Sequence, residues 1–188
     1  MPRSVGKRDL PGGVDFVNTY DFASAVHKAL DRHPEIYGSG LAVEGLRQWF
    51  RLHARTASFL AMPSRAVDVL WHEFIVDTVE YASFCENAYG RFIHHVPDSS
   101  MDPGRVAALN NLAMARTFRS ACSDEGLLEA AGSPPRLPLL FAVDHKVGVR
   151  KRAWILQCGG DKNNCLRPFA SRCVKHELLE LALTARDA

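Results

Sequence analysis

The sequence predicts a mostly α-helical, single-domain protein: a bundle of about five helices with a small two-stranded β-hairpin near the C-terminal third. Three observations support this fold class. The 188 residues are 47% hydrophobic, which suits one domain with an adequate core. Apolar residues recur at helical spacing in four successive segments. The stretch "AAGSPPRLP" then interrupts this pattern, because its prolines do not continue a regular helix.

The N-terminal part is predicted to hold an arm and two helices. Residues 1–13 are basic and end in "LPGG", which predicts a flexible arm before a helical domain over 14–188. A first helix is predicted over 14–33, ended by "HPEIYGSG", and a second over 41–60. The second helix carries a basic face that we expect to be exposed to solvent: Arg47, Arg51 and Arg55.

Two further helices follow in the middle of the chain. Ser64 is a suitable N-cap for a third helix, whose apolar series runs from Val67 to Tyr89. Gly90 is placed to end this helix in a left-handed conformation. A fourth helix is predicted over 105–123.

The C-terminal third is predicted to change character. The segments "LLFAVDHKVGV" and "RAWILQCGG" are typical of two short strands, which predicts a hairpin at about 137–158. A Cys/Gly loop over 158–165 follows it. Pro168 suits the first turn of a last helix over 168–185.

Composition narrows the classes of function. With 23 basic and 21 acidic residues the formal net charge is +2, so nucleic-acid binding is not expected to be the main activity. No apolar run reaches the roughly 20 residues that span a bilayer, so no membrane partner is expected. The cysteines number five, an odd count, and no apolar signal region follows the start of the chain. A reduced, cytoplasmic compartment is predicted.

A histidine and a carboxylate share one flank of the third helix. Asp68 and His72 are four residues apart, so the carboxylate can hold one imidazole nitrogen and leave the other free. Such a pair orients a metal ligand or a general base, and it also satisfies a purely structural histidine. The metalloprotease pattern H-E-x-x-H is excluded, because Val76 stands where its second histidine is required. Glu73, Asp77 and Glu80 lie on another face and are expected to form a solvated acidic stripe.

Two adjacent histidines end this region. Neighbouring side chains diverge, so at most one of His94 and His95 is expected to reach a site shared with His72. A continuous helix would carry the chain about 27 Å from His72 to Gly90, so a joint metal site requires the chain to double back.

A second candidate metal site lies near the C-terminus, at the spacing C-x6-C-x7-C-x2-H. Three thiolates and one imidazole form a normal structural zinc set, so zinc is the candidate cofactor there. The alternative is that Cys173 is a core residue of the last helix, Cys158 ends a strand and Cys165 lies in a loop. The residues concerned are Cys158, Cys165, Cys173 and His176.

The segment "VDVLWHEFIVDTVEYASFCENAYGRFIHHVP", together with "LPLLFAVD" and the Cys/Gly stretch, resembles the bacterial glycine-rich domain-containing proteins. Relatives in eukaryotes tend to show Trp-His-x-His, where this chain has Phe74 as the last residue. The resemblance implies a helical fold and no particular reaction. It also draws attention to a set of candidate functional residues: Asp68, His72, Tyr81, His94 and His95.

Three hypotheses of function remain open. The first is a binding or adaptor domain for a protein or small-molecule partner, with the cysteine group holding a structural zinc. The second is a non-haem metal-dependent enzyme that uses His72 with His94 or His95 and a carboxylate, with Asp68 and Tyr81 as further catalytic candidates. The third is a weak nucleic-acid-binding module that uses the arginines of the second helix.

Overall fold

The computed structural model describes residues 13–34, 40–95, 103–127 and 136–149, and these residues form seven helices and no strand. The prediction of a mostly helical, single-domain fold is confirmed. In chain order the helices are α1 (Gly13–Thr19), α2 (Ala23–Arg32), α3 (Leu41–Arg55), α4 (Arg65–Val76), α5 (Thr78–Tyr89), α6 (Pro103–Asp124) and α7 (Leu139–Lys146).

Helix α3 lies at the centre of the fold and contacts α1, α4, α6 and α7. Leu46, Trp49 and Phe50 of α3 are at most 1% exposed, so this helix contributes large side chains to the core. Gly45 allows α4 to approach closely, because a Cβ atom there would lie 2.7 Å from Val67 Cγ2. The close contact between these two helices fixes the position of α4, which carries the candidate site.

The first predicted helix is two helices, α1 and α2. Asp21 lies between them, and its carboxylate accepts a hydrogen bond from the Ala23 main-chain N–H at 2.9 Å. Phe22, 2% exposed, enters the core at this turn, with its ring 5.5 Å from that of Phe74 and 5.7 Å from that of Phe50. Burial of this phenylalanine explains why the chain turns where a continuous helix was predicted.

The third predicted helix is also two helices, α4 and α5, separated at Asp77. The ends were predicted correctly, since Ser64 Oγ accepts from Val67 N at 3.1 Å and Gly90 has φ of 62°. Asp77 has φ −80° and ψ 72°, outside the helical region, so the prediction of one continuous helix is wrong. The turn allows α5 to pack back on α4, with the Phe74 ring 5.2 Å from the ring of Tyr81.

The acidic residues predicted to form a solvated stripe instead contact α2 and the turn that precedes it. The Glu73 side chain is only 7% exposed. Arg32 pairs with Glu73 at 2.9 Å, Lys28 with Asp77 at 3.2 Å, and the Tyr20 hydroxyl donates to Glu80 at 2.7 Å. The prediction failed because it considered one helix alone, without the basic partners that the fold places opposite.

The predicted hairpin is wrong over its first strand, where the chain forms α7. The main-chain N–H of Leu140 donates to Gln48 Oε1 at 2.8 Å, which anchors the start of α7 on α3. Near its end, the buried Asp144 accepts hydrogen bonds at the start of α4. These tertiary contacts outweigh the local preference that suggested a strand. The second predicted strand, the Cys/Gly loop, the last helix and residues 1–12 lie outside the described residues.

The basic face of α3 is not a free, solvent-exposed surface. Asp124 of α6 accepts from Arg51 Nη2 at 2.9 Å and also pairs with Arg55. Arg47 donates to the main-chain oxygen of Val17 at 2.8 Å. The expectation of solvated arginines is therefore wrong for Arg47 and Arg51, whose side chains are 18% and 19% exposed.

Candidate metal centre

Asp68 and His72 lie on one face of α4. His72 Nδ1 is 2.7 Å from the main-chain oxygen of Asp68 and 3.6 Å from its carboxylate oxygen Oδ2. A donated N–H at Nδ1 satisfies that carbonyl and leaves the lone pair on Nε2 free. The His72 side chain is 50% exposed, so this nitrogen is accessible from solvent.

His95 completes a three-residue cluster with this pair. Its Nε2 lies 3.3 Å from Asp68 Oδ1, and its ring centroid lies 4.2 Å from that of His72. One potential ligand atom from each of Asp68, His72 and His95 lies within 4.8 Å of the others. The chain does double back after α4, which is the condition that a joint site required.

A buried tyrosine holds the His95 segment in place. The Tyr81 hydroxyl donates to the main-chain oxygen of Ile93 at 2.7 Å and accepts from Trp71 Nε1 at 3.1 Å. The Trp71 ring also contacts the His95 ring, with centroids 4.9 Å apart. Tyr81 therefore connects α5, α4 and the segment that follows α5.

Tyr81 itself is not suited to proton transfer at the cluster. Its side chain is fully buried, and its hydroxyl already makes the two hydrogen bonds to Ile93 and Trp71. Burial raises the pKa of Tyr81 far above its usual value. Its position therefore favours a structural role over the catalytic role that the hypothesis of a metal-dependent enzyme gave it.

His94 lies apart from the cluster. Its side chain is exposed, and its ring lies 4.9 Å from that of Phe92. Of the two adjacent histidines only His95 reaches His72, as the divergence of neighbouring side chains predicts.

The three clustered side chains form a donor set of two imidazoles and one carboxylate. This set is characteristic of open, non-haem divalent-metal sites. The hydrogen bond from His72 Nδ1 to a main-chain carbonyl is the outer contact that orients a ligating histidine. In the described part of the chain, no fourth histidine, cysteine or carboxylate joins the cluster.

The cysteines divide between described and undescribed parts of the chain. Cys85 and Cys122 are buried, and burial raises the pKa of both thiols, that of Cys122 to about 12. Neither is therefore a ready thiolate. The predicted structural zinc ligands Cys158, Cys165, Cys173 and His176 lie outside the described residues, and that site stays a prediction.

Fold and site together define the class: a helical protein with a two-histidine, one-carboxylate cluster at the surface of α4. The chain matches the UCP032817-like family over residues 13–176 and belongs to that family. No curated protein and no solved structure shows a significant match. The resemblance to glycine-rich domain-containing proteins is therefore wrong, because the family that the chain matches is a different one. None of the helices in the described ranges combines the length and hydropathy needed to cross a bilayer.

Sequence reasoning missed the features that select His95. Asp77 followed by Glu80 matches the spacing of residues that start helices, and this signal could have placed the break between α4 and α5. The contact of Tyr81 with Ile93 had no comparable local signal, because it joins a helix to an irregular segment.

Proposed function

We propose that the protein is a metal-dependent enzyme in which Asp68, His72 and His95 bind one divalent transition-metal ion. The observation that carries this proposal is the convergence of one donor atom from each side chain to within 4.8 Å. Only one of the two predicted alternatives for the second histidine is compatible with it, since His94 lies outside the cluster.

The distance between two of the three donor atoms is that of a coordinated pair. Two ligand atoms at about 2.1 Å from one ion, with tetrahedral to octahedral angles, are about 3.0–3.4 Å apart. Asp68 Oδ1 and His95 Nε2 are 3.3 Å apart, within that range. A bound ion would take the place of the imidazole proton in this hydrogen bond, and His72 would supply the third donor.

The type and number of donors favour an open site. Imidazole and carboxylate ligands suit Mn²⁺, Fe²⁺, Co²⁺ and Zn²⁺. Structural zinc sites use four protein ligands, whereas catalytic sites keep a position for water or substrate. Three protein donors beside a half-exposed His72 leave such a position accessible to a small molecule.

The other hypotheses have less support from the described residues. A binding or adaptor domain with structural zinc rests on the C-terminal cysteines and remains a separate proposal. Nucleic-acid binding through α3 is disfavoured, because Arg51 and Arg55 are paired with Asp124.

The test measures metal binding by purified protein and by single variants. Titration with Mn²⁺, Fe²⁺ and Zn²⁺, followed by calorimetry and elemental analysis, should show one site that is lost in His72→Ala and in His95→Ala. Affinity should fall by at least about 10-fold, since even the outer partners of ligands contribute about 10–100-fold. His94→Ala is the matched control and should bind metal like the wild type.

Two results would refute the proposal. One is a wild type that binds none of the three metals. The other is metal affinity that is unchanged in both His72→Ala and His95→Ala, with circular dichroism showing intact folding. A zinc ion that persists in both variants, while a second ion is lost, would be assigned to another part of the chain and would leave the proposal supported.

A further inference from the structure

We infer that the metal-loaded centre binds a small organic carboxylate, with the carboxylate on the ion and the apolar part of the ligand towards Val76. This inference rests on the proposed function and names the class of its exogenous ligand. It follows from the charge of the cluster and from the residues that flank it on α4.

The cluster leaves a positive charge uncompensated. A divalent ion with one carboxylate and two neutral imidazoles has a net charge of +1. The Asp68 and His95 side chains are 34% and 21% exposed, so water screens this charge only in part. An anion in the open coordination position would neutralise it, whereas a neutral ligand would not.

Among the described residues, the two acids that follow His72 on and at the end of α4 are paired elsewhere. Glu73 follows His72 directly, but its side chain points towards α2 and pairs with Arg32 at 2.9 Å. Asp77, at the end of α4, pairs with Lys28 at 3.2 Å. Both carboxylates are therefore directed away from the face that carries the cluster and do not compensate its charge.

A cation and an apolar side chain flank the cluster on the same face of α4. At 100° and 1.5 Å per residue, Arg65 and Val76 lie about 20° and about 40° from His72 around the helix, both on the same side. Along the helix axis, Arg65 lies about 10 Å before His72 and Val76 about 6 Å after it. Arg65 is exposed, and its guanidinium can make two parallel hydrogen bonds to a carboxylate. Val76 is 67% exposed, one turn beyond His72.

These flanks favour a carboxylate with a short apolar chain over inorganic phosphate. Val76 offers contact only to an apolar group, which inorganic phosphate does not have. Acetate has no such group beyond its methyl, whereas butyrate carries two more methylenes that can cover the valine.

The test uses protein loaded with Co²⁺, whose visible spectrum changes when a ligand enters the metal's coordination shell. Acetate, butyrate, inorganic phosphate and the neutral butyramide are titrated separately. We expect butyrate to bind about 3–10-fold more tightly than acetate, and butyramide to leave the spectrum unchanged. Apo protein should bind none of them measurably.

Substitutions separate the two flanks. Arg65→Gln should weaken butyrate by about 5-fold while leaving Co²⁺ affinity unchanged. Val76→Ser should remove the preference for butyrate over acetate. Arg136→Gln is the matched control. Arg136 pairs with Glu125 and lies before the start of α7, whereas α7 contacts α4 near its end, through Asp144. The control therefore removes an arginine away from the cluster.

The outcomes distinguish this inference from the function on which it rests. Failure of the wild type to bind Co²⁺ or any other divalent metal would overturn the proposed function. Co²⁺ binding with no response to carboxylates would overturn only the inference. Equal binding of butyramide and butyrate, tighter binding of phosphate, or an unchanged Arg65→Gln variant would also overturn it.

Discussion

Asp68 Oδ1 and His95 Nε2 lie 3.3 Å apart, although 27 residues separate them in the chain. Helix α4 ends at Val76 and α5 turns back at Asp77, so the segment after α5 returns to the flank of α4. A continuous helix over the same residues would have kept the two side chains far apart. The candidate metal centre therefore depends on a helix break.

Tyr81→Phe should lower metal affinity although it removes no ligand. The change deletes the hydrogen bonds of the hydroxyl to Ile93 and Trp71, so the segment that carries His95 is less firmly held. We expect affinity to fall by about 3–30-fold, because contacts that position ligands contribute about 10–100-fold. Calorimetric titration with Zn²⁺ and Mn²⁺ measures this change.

Tyr89→Phe is the control for that experiment. Tyr89 lies on the same helix, and its hydroxyl donates to the main-chain oxygen of Phe50 at 3.1 Å, away from the cluster. Both variants should lose about 1–3 kcal/mol of unfolding free energy. Equal metal affinity in the two variants would show that Tyr81 does not position His95.

Much of the helical framework could be predicted from local patterns. The N-cap at Ser64 and the left-handed Gly90 are both present, because capping depends on residues a few positions apart. The proximity of Asp68 and His72 is local in the same way, since helical geometry alone brings them together, although the main-chain oxygen of Asp68 and not its carboxylate makes the close contact with His72 Nδ1.

The remaining features depend on contacts between distant segments. Residues 139–146 form a helix because other parts of the chain supply partners for its two ends. Gln48 of α3 accepts from the Leu140 N–H, and Ser64 at the start of α4 donates to Asp144. No local pattern contains those partners. The choice of His95 over His94 likewise depends on Tyr81 of α5 and Trp71 of α4, which contact the segment that follows α5. Periodicity carries no information about either contact.

Asp144→Ala should destabilise the protein through the start of α4. The buried carboxylate accepts from Ser64 Oγ at 2.7 Å and from the N–H groups of Arg65 and Ala66 at 3.0 Å. Removing it deletes the acceptor that these three hydrogen bonds share, so we expect a loss of about 2–4 kcal/mol in urea unfolding. Asp144→Asn keeps an acceptor and should lose less. An alanine variant within about 0.5 kcal/mol of wild type would contradict this role.

His53 should make the protein less stable as the pH falls below about 6.5. Burial, with a further contribution from Arg91, lowers the pKa of His53 from 6.5 to about 3 in the folded state. The unfolded chain therefore binds a proton at a higher pH than the folded chain. The free energy of unfolding should decrease as the pH falls from 6.5 towards 3, by about 2 kcal/mol at pH 5.

Urea unfolding of wild type and His53→Leu at several pH values isolates this contribution. Leucine does not titrate and has a similar size, so the variant should lose less stability between pH 7.5 and pH 5 than the wild type. Identical pH dependence of the two proteins would assign the effect to other groups.

Asp124→Asn should weaken the contact between α3 and α6. Burial acts to raise the pKa of Asp124, but the hydrogen bond and charge of Arg51, with the charge of Arg55, outweigh it and lower the pKa. The Asp124 side chain is 3% exposed, so the variant leaves Arg51 beside a neutral group, at a cost of about 1–3 kcal/mol. Since the folded pKa is depressed, this stabilisation is present above the usual pKa of aspartate and is lost as the pH falls through the lower folded value.

Urea unfolding at pH 7 measures the cost of Asp124→Asn. Arg55→Gln is the comparison, because the Arg55 side chain is 50% exposed and should contribute less. An Arg55 variant that is as unstable as Asp124→Asn would contradict the assignment of Arg51 as the main partner.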